Sequence, residues 1–169
     1  MLAFIASDMI KAIGLGEQLG VLIQNLQVPL FVLPVLFLGI TSFFSFVAGT
    51  SWGTISLFIP IVAVIVNAID PSLVLVSLAA VVSGAVFGDH ASPLNGNTIL
   101  SSAGTQCYPD AHFETQMPYA LAGLAVTAVA FLVLSLTGST LLAWGSALIG
   151  LAIFVVIGRK ISERPLETK

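Results

Sequence analysis

Charged residues are scarce in this chain of 169 residues, of which Asp, Glu, Lys and Arg together make up 8%. Soluble domains carry about a quarter. Hydrophobic residues make up 57%, and a soluble chain of this length has too small a core to bury them. Intrinsic disorder is excluded as well, because disordered segments are poor in hydrophobic residues. These proportions therefore indicate an integral membrane protein.

Cysteine and basic residues are also few. Cys107 is the single cysteine, which excludes an internal disulfide and a metal cluster built on cysteines. Five basic residues against eight acidic ones give a net charge of −3, so nucleic acid is not an expected partner. The sequence also lacks the glycine-rich phosphate loop of ATP-binding proteins, so it gives no sign of coupling to ATP.

Two long runs contain no Asp, Glu, Lys, Arg or His: 52 residues between Glu17 and Asp70, and 44 between Glu114 and Arg159. A helix needs about 20 apolar residues to cross the bilayer, so each run can hold two crossings. The sequence therefore predicts an all-α, polytopic membrane protein embedded in the lipid bilayer. We expect about five transmembrane segments, some of them broken or re-entrant, near residues 29–47, 55–69, 73–87, 118–136 and 141–157.

The remaining stretches are more polar. Residues 1–24 contain three charges and favour a short or interfacial helix, and residues 103–117 are expected to form a polar connection in which His112 is solvated. We expect residues 1–158 to form the membrane domain. Residues 159–169 carry a cluster of Lys and Arg, which predicts a cytoplasmic tail.

Two polar segments interrupt the apolar pattern where membrane-spanning helices are expected. Gly49-Thr-Ser-Trp-Gly-Thr54 offers glycines that permit unwinding and hydroxyl oxygens that suit a hard cation such as Na⁺. The second segment runs from Gly88 to Thr98, and its carboxylate can hold a cation or a proton in turn. The candidate ion- and proton-binding residues are Asp89, His90, Thr50, Ser51, Thr54, Ser92, Asn95, Asn97 and Thr98. The alternative is that both segments are loops, with Ser92-Pro93 starting a helix.

These strings, in this order, resemble the NhaC-type Na⁺/H⁺ antiporter family. The resemblance rests on residues 49–54, on Ser83-Gly-Ala-Val-Phe-Gly-Asp-His-Ala-Ser-Pro93, on Thr98–Ser102 and on Thr115–Ala120. It spans about residues 1–136, as the C-terminal half of a family member. The chain differs from the family pattern at Ala91, where cysteine is frequent, at Gly96, where an acidic residue is usual, and at Glu114, where a basic residue is expected.

The resemblance implies one half of an inverted-repeat transporter in the plasma membrane that exchanges Na⁺ for H⁺, with no cofactor beyond these transported ions. It makes Asp89 the principal carboxylate, and Thr50, Ser51, Asn97 and Thr98 further Na⁺ ligands. The expected partner is a separate chain with the missing N-terminal half, or a second copy. Three alternatives stay open: exchange coupled to malate or lactate, a non-transporting subunit or relic, and an intramembrane hydrolase with a nucleophile activated by His90 or His112.

Overall fold

The computed structural model describes residues 29–162, with side chains as far as Arg159, and a few isolated positions before residue 29. The predictions for residues 1–24 and for most of the tail lie outside the described residues. Within this part of the chain the regular structure is helical, and it comprises six α-helices: α1 (Leu33–Ala48), α2 (Ser51–Ile69), α3 (Val74–Ala91), α4 (Gly96–Gly104), α5 (Pro109–Thr137) and α6 (Thr140–Ser162).

Among the described residues, five helical segments are long and apolar enough to cross a membrane, which agrees with the predicted number. They are Leu30–Ala48, Ser51–Ile69, Pro71–Gly104, Pro109–Thr137 and Thr140–Arg159. The third contains α3, a short break and α4, so it is an interrupted helix as the sequence predicted.

Three boundaries differ from the sequence prediction. The first break covers only Gly49 and Thr50, because Thr50 caps α2 and the next residues already form its first turn. Asp89 and His90 lie in the last turn of α3, and the second break covers residues 92–95. The expectation that residues 103–117 form a non-helical connection is wrong, because Pro109 starts α5. A polar sequence can continue a helix beyond the apolar layer, so polarity alone did not mark its end.

The helices α1 and α2 form an antiparallel hairpin whose tip is Gly49-Thr50. Gly49 adopts a left-handed conformation (φ 65°) and its N–H donates to the carbonyl of Ser45, which ends α1. The rings of Phe44 and Phe58 meet edge to face near the tip, with centroids 5.2 Å apart. At the open end a buried cluster joins the hairpin to α3; its members are Leu33, Phe37, Val62, Ile65, Val66 and Val81.

The helices α1 and α3 run parallel and pack very closely. Gly84 lies against Leu38 and Thr41, and Gly88 lies against Ser45, with no room for a side chain at either glycine. The hydroxyl of Ser45 donates to the carbonyl of Ala85 across this interface at 2.6 Å. Small residues allow such an approach between membrane helices, and hydrogen bonds then hold it.

The helices α5 and α6 form an antiparallel pair, as the short turn at residues 137–140 predicted. Gly138 is left-handed (φ 64°) and ends α5, while the side chain of Thr137 accepts from the N–H of Ser139. Gly150 lies against Val126. Many apolar side chains on the outer faces of this pair are exposed, which suits contact with lipid or with further protein.

Candidate functional site

The hairpin tip meets the end of α3 at the side chain of Asp89. One carboxylate oxygen, Oδ1, accepts from the backbone N–H of Ser51 at 3.2 Å. The other, Oδ2, accepts from the hydroxyl of Ser51 at 2.5 Å. Ser51 is the first residue of α2, so the carboxylate lies at the positive end of that helix. The side chain of Asp89 is half-buried, and these donors replace part of its hydration.

The side chain of Asn95 completes this arrangement from the break between α3 and α4. Its nitrogen Nδ2 donates to Oδ1 of Asp89 at 2.7 Å and to the backbone carbonyl of Gly49 at 2.9 Å. Its oxygen Oδ1 accepts from the N–H of Asn97 at 2.7 Å, which caps α4. Asn95 therefore caps the N-terminus of α4. The alternative considered from the sequence had a helix start at Ser92-Pro93.

The polarity of the hairpin tip explains why these two side chains fit it. The carbonyls at the end of a helix and the N–H groups at the start of the next have no partners within their own helices. At the tip, the amide of Asn95 donates to the carbonyl of Gly49, and the carboxylate of Asp89 accepts from the N–H of Ser51. The tip is thus held from the side by residues of another membrane segment.

The other hydroxyls predicted for the site bond mainly to nearby backbone. Thr50 is exposed, and its side chain accepts from the N–H of Gly53. Thr54 is buried and donates to the carbonyl of Thr50. Ser92 accepts from the N–H of Leu94, and Thr98 donates to the carbonyl of Ser92, so both hold the shape of the second break. The structure thus brings Asp89, Ser51 and Asn95 into one cluster, with these four residues around it.

A polar cavity of about 320 Å³ opens beside Asp89. The predicted residues His90, Asn97 and Thr98 line it. His112 and Gln116 of α5 line it too, although the sequence indicated a solvated loop for His112 and gave no role to Gln116. Both fall on one face of α5 because they are four residues apart, and that spacing is the signal that could have identified them.

The cluster and the cavity lie where four helices end or begin. The last turns of α1 and α3 and the first turns of α2 and α5 contribute to them, together with α4. The helices α1, α2 and α4 carry no titratable side chain. The ionisable residues that line the cavity are Asp89 and His90 on α3 and His112 on α5, and Asp110 also lies in the first turn of α5.

Ser51 also lies in the string Gly49-Thr-Ser-Trp-Gly53, which matches the Gly-x-Ser-x-Gly pattern around the nucleophile of many hydrolases. That pattern requires a strand before the serine and a helix after it. Here a helix precedes the serine, and the hydroxyl of Ser51 donates directly to Asp89. Neither His90 nor His112 hydrogen-bonds to Ser51, so the geometry does not form the serine–histidine pair of a hydrolase.

Among the described residues, no group of three or more His, Cys, Asp or Glu side chains could hold a metal ion. The oxygens that line the cavity belong to one carboxylate, Asp89, and to neutral groups such as Asn97 and Thr98, and oxygen ligands suit a hard cation better than a soft one.

Comparison with known proteins agrees with these observations. The family model described as "Na+/H+ antiporter family" matches residues 1–136, so α6 lies beyond the match. An uncharacterized protein of Haemophilus influenzae is 35% identical over 145 residues, which are 86% of this chain and 28% of that protein. The malate-2H(+)/Na(+)-lactate antiporter of Bacillus subtilis is 34% identical over 107 residues, which are 61% of this chain and 23% of that protein.

The chain thus spans about a quarter of the length of these curated relatives. No solved structure matches it. Both polar segments of the site lie within the matched residues.

Proposed function

The chain belongs to the Na⁺/H⁺ antiporter family, and we propose that it forms part of a secondary transporter that exchanges Na⁺ for H⁺. We place it in the plasma membrane of a bacterial-type cell. The curated relatives are about three times as long as this chain. As its partner in the transporter we propose a separate chain with the N-terminal half, or a second copy.

The observation that carries this proposal is the position of Asp89. It is the one carboxylate of the candidate site, it lies between the hairpin tip and the break of the third segment, and it faces a polar cavity. Ionisable residues in membrane segments are costly and mark ion or proton pathways. Open backbone at such a place is tolerated where it is buried in protein or lines a cavity.

The chemistry of exchange requires a group that binds either Na⁺ or a proton. The carboxylate of Asp89 can do both, and its Oδ2 accepts a single hydrogen bond, from Ser51. A carboxylate oxygen can accept more than one bond, so Oδ2 keeps capacity for a cation. Asn97 and Thr98 line the adjacent cavity, and their oxygens could complete the coordination of a hard cation there.

Na⁺-dependent dissipation of a pH gradient in inverted membrane vesicles tests this proposal. The Asp89→Asn variant removes the charge and keeps the size, and an amide can still accept from Ser51 and from Asn95. We expect this variant to lose exchange while it stays folded. Asp70→Asn is the matched control, because Asp70 lies between α2 and α3 and caps a 3₁₀ turn, a role that asparagine also fills.

Exchange that survives unchanged in Asp89→Asn would remove Asp89 from the carrier role. An equal loss in both variants would point to a general effect on folding. Vesicles without activity, even when the chain is produced together with a matching N-terminal half, would favour a non-transporting subunit or relic.

A second candidate is exchange coupled to an organic acid. It is favoured by the similarity to the malate-2H(+)/Na(+)-lactate antiporter over 107 residues. Adding malate outside vesicles loaded with lactate should accelerate the dissipation of the pH gradient if this coupling holds. An identical rate with and without the two acids would leave simple Na⁺/H⁺ exchange.

A further inference from the structure

Asn95 differs from the other polar residues of the site because its side chain connects three elements. The residue is 6% exposed. Its nitrogen bonds to the hairpin tip at Gly49 and to Asp89 of α3, and its oxygen bonds to the first turn of α4. The carbonyl of Gly49 is 46 residues away in the sequence, so this bond fixes a long-range contact.

The surrounding groups determine which way the amide of Asn95 points. The carboxylate of Asp89 and the carbonyl of Gly49 can only accept, so the NH₂ group must face them. The N–H of Asn97 can only donate, so the oxygen must face it. In the opposite orientation the amide oxygen would face the carboxylate of Asp89 and the carbonyl of Gly49, and the NH₂ group would face the N–H of Asn97. No hydrogen bond could form in either place.

In this orientation the oxygen of Asn95 does not face Asp89, the side chain that would hold a cation. It accepts from the backbone N–H of Asn97 in the first turn of α4, whereas the nitrogen of the same amide faces Asp89. The group directed toward Asp89 is the NH₂ group, which cannot ligate Na⁺. The sequence indicated Asn95 as a neutral oxygen ligand of the cation. In the structure its nitrogen instead joins Gly49 to Asp89, and its oxygen caps α4.

We propose that Asn95 is a positioning residue whose amide nitrogen ties the hairpin tip to Asp89, and that it does not ligate the transported cation. The second clause rests on the proposed function, whereas the tie can be tested without transport. The tie fixes Ser51, and with it the two donors that Asp89 receives from the tip.

Three substitutions of Asn95 separate a tie from a ligand. Asn95→Ser and Asn95→Asp both keep an oxygen that can cap α4 and could ligate Na⁺, but neither has two N–H donors. Asn95→Ala has neither feature. Asn67→Ser is the matched control, because Asn67 is exposed near the opposite end of α2.

The first measurement is the Na⁺ dependence of exchange in vesicles. We expect the Ser, Asp and Ala variants to lose at least about tenfold in turnover, because each lacks both bonds of the amide nitrogen. The control should keep the wild-type turnover and KM for Na⁺. The proposal is overturned if Ser or Asp keeps both values while Ala loses them, since the oxygen would then be the functional atom.

The second measurement is the rate at which a thiol reagent modifies Thr54→Cys in a Cys107→Ser background. Thr54 lies one turn into α2 and is fully buried. Without the tie the tip should open more often, and Asn95→Ser should raise the labelling rate about tenfold. Asn67→Ser should leave it unchanged.

The two measurements can fail separately. Equal labelling rates with and without Asn95→Ser would overturn the tie, whatever happens to transport. Faster labelling in a protein that exchanges no ions even with Asn95 intact would support the tie and contradict the proposed function.

Discussion

Replacing Gly88 with alanine should push α1 and α3 apart and destabilise the protein. The added Cβ would lie 2.0 Å from the hydroxyl oxygen of Ser45 and 2.5 Å from its carbonyl carbon. The hydroxyl could rotate away, but the carbonyl carbon is part of the backbone of α1. A contact with that atom can be relieved only if one helix moves.

The size of the effect follows from these distances. Ordinary contact begins at 3.4 Å, so the helices must separate by about 1 Å. That shift weakens the bond between Ser45 and the carbonyl of Ala85, which is 2.6 Å long. Overpacking costs about 1–3 kcal/mol and the hydrogen bond about 1 kcal/mol, while alanine in a helix returns about 1 kcal/mol. We expect a net loss of about 1–3 kcal/mol.

The assay is reversible unfolding in mixed detergent, followed by circular dichroism. Gly123→Ala is the matched control, because Gly123 is a glycine within α5 and a Cβ added there meets no atom within 4 Å. The control should be as stable as the wild type or more stable by up to about 1 kcal/mol.

Equal stability of the Gly88→Ala and Gly123→Ala variants would contradict this prediction. It would mean that α1 and α3 are not in direct backbone contact in the folded protein. A Gly84→Ala variant gives a second test, since its added Cβ would lie 2.5 Å from the carbonyl oxygen of Leu38.

Two further predictions concern the turns outside the site. The hydroxyl and the backbone N–H of Ser72 donate to the carboxylate of Asp70 and lower its pKa. The charged Asp70 therefore stabilises the fold above the unfolded pKa of about 3.9, and this contribution is lost as the pH falls through the lower pKa of the folded state. The unfolding free energy of Asp70→Asn should therefore depend less on pH below about pH 4 than that of the wild type, and parallel curves would contradict this. Gly138→Ala should cost about 1 kcal/mol, because Gly138 has φ 64°, whereas Gly145→Ala, within α6, should not destabilise. Thermal unfolding of both variants measures the difference, and equal midpoints would argue against a strained turn.

The number of membrane segments could be predicted from the sequence because the rule behind it is local. The two charge-free runs and the run before Asp89 are each long enough for a known number of crossings. The start of α5 could not be found in this way. Polar residues such as Asp110 and His112 extend that helix past its apolar part, and the same residues would suit a loop.

The two polar segments of the site were also visible in the sequence, because glycines, hydroxyls and a carboxylate are unusual between apolar runs. The contact between the two segments could not be seen in the sequence. Ser51 and Asp89 are separated by 38 residues, and only the packing of the hairpin against α3 brings them together. Gln116 likewise lines the cavity only because α5 packs beside α3.

That the protein is embedded in a membrane, that its segments are helical and which residues are unusually polar can all be inferred from the sequence. These properties follow from composition and from the length of apolar runs, which are fixed along the chain. The hydrogen-bond partner of each polar atom depends on how the helices pack. It turned the nitrogen of Asn95 toward Asp89 and Gly49 and its oxygen toward α4. Hydrogen-bond direction depends on which donors and acceptors meet in space, and folding alone sets that.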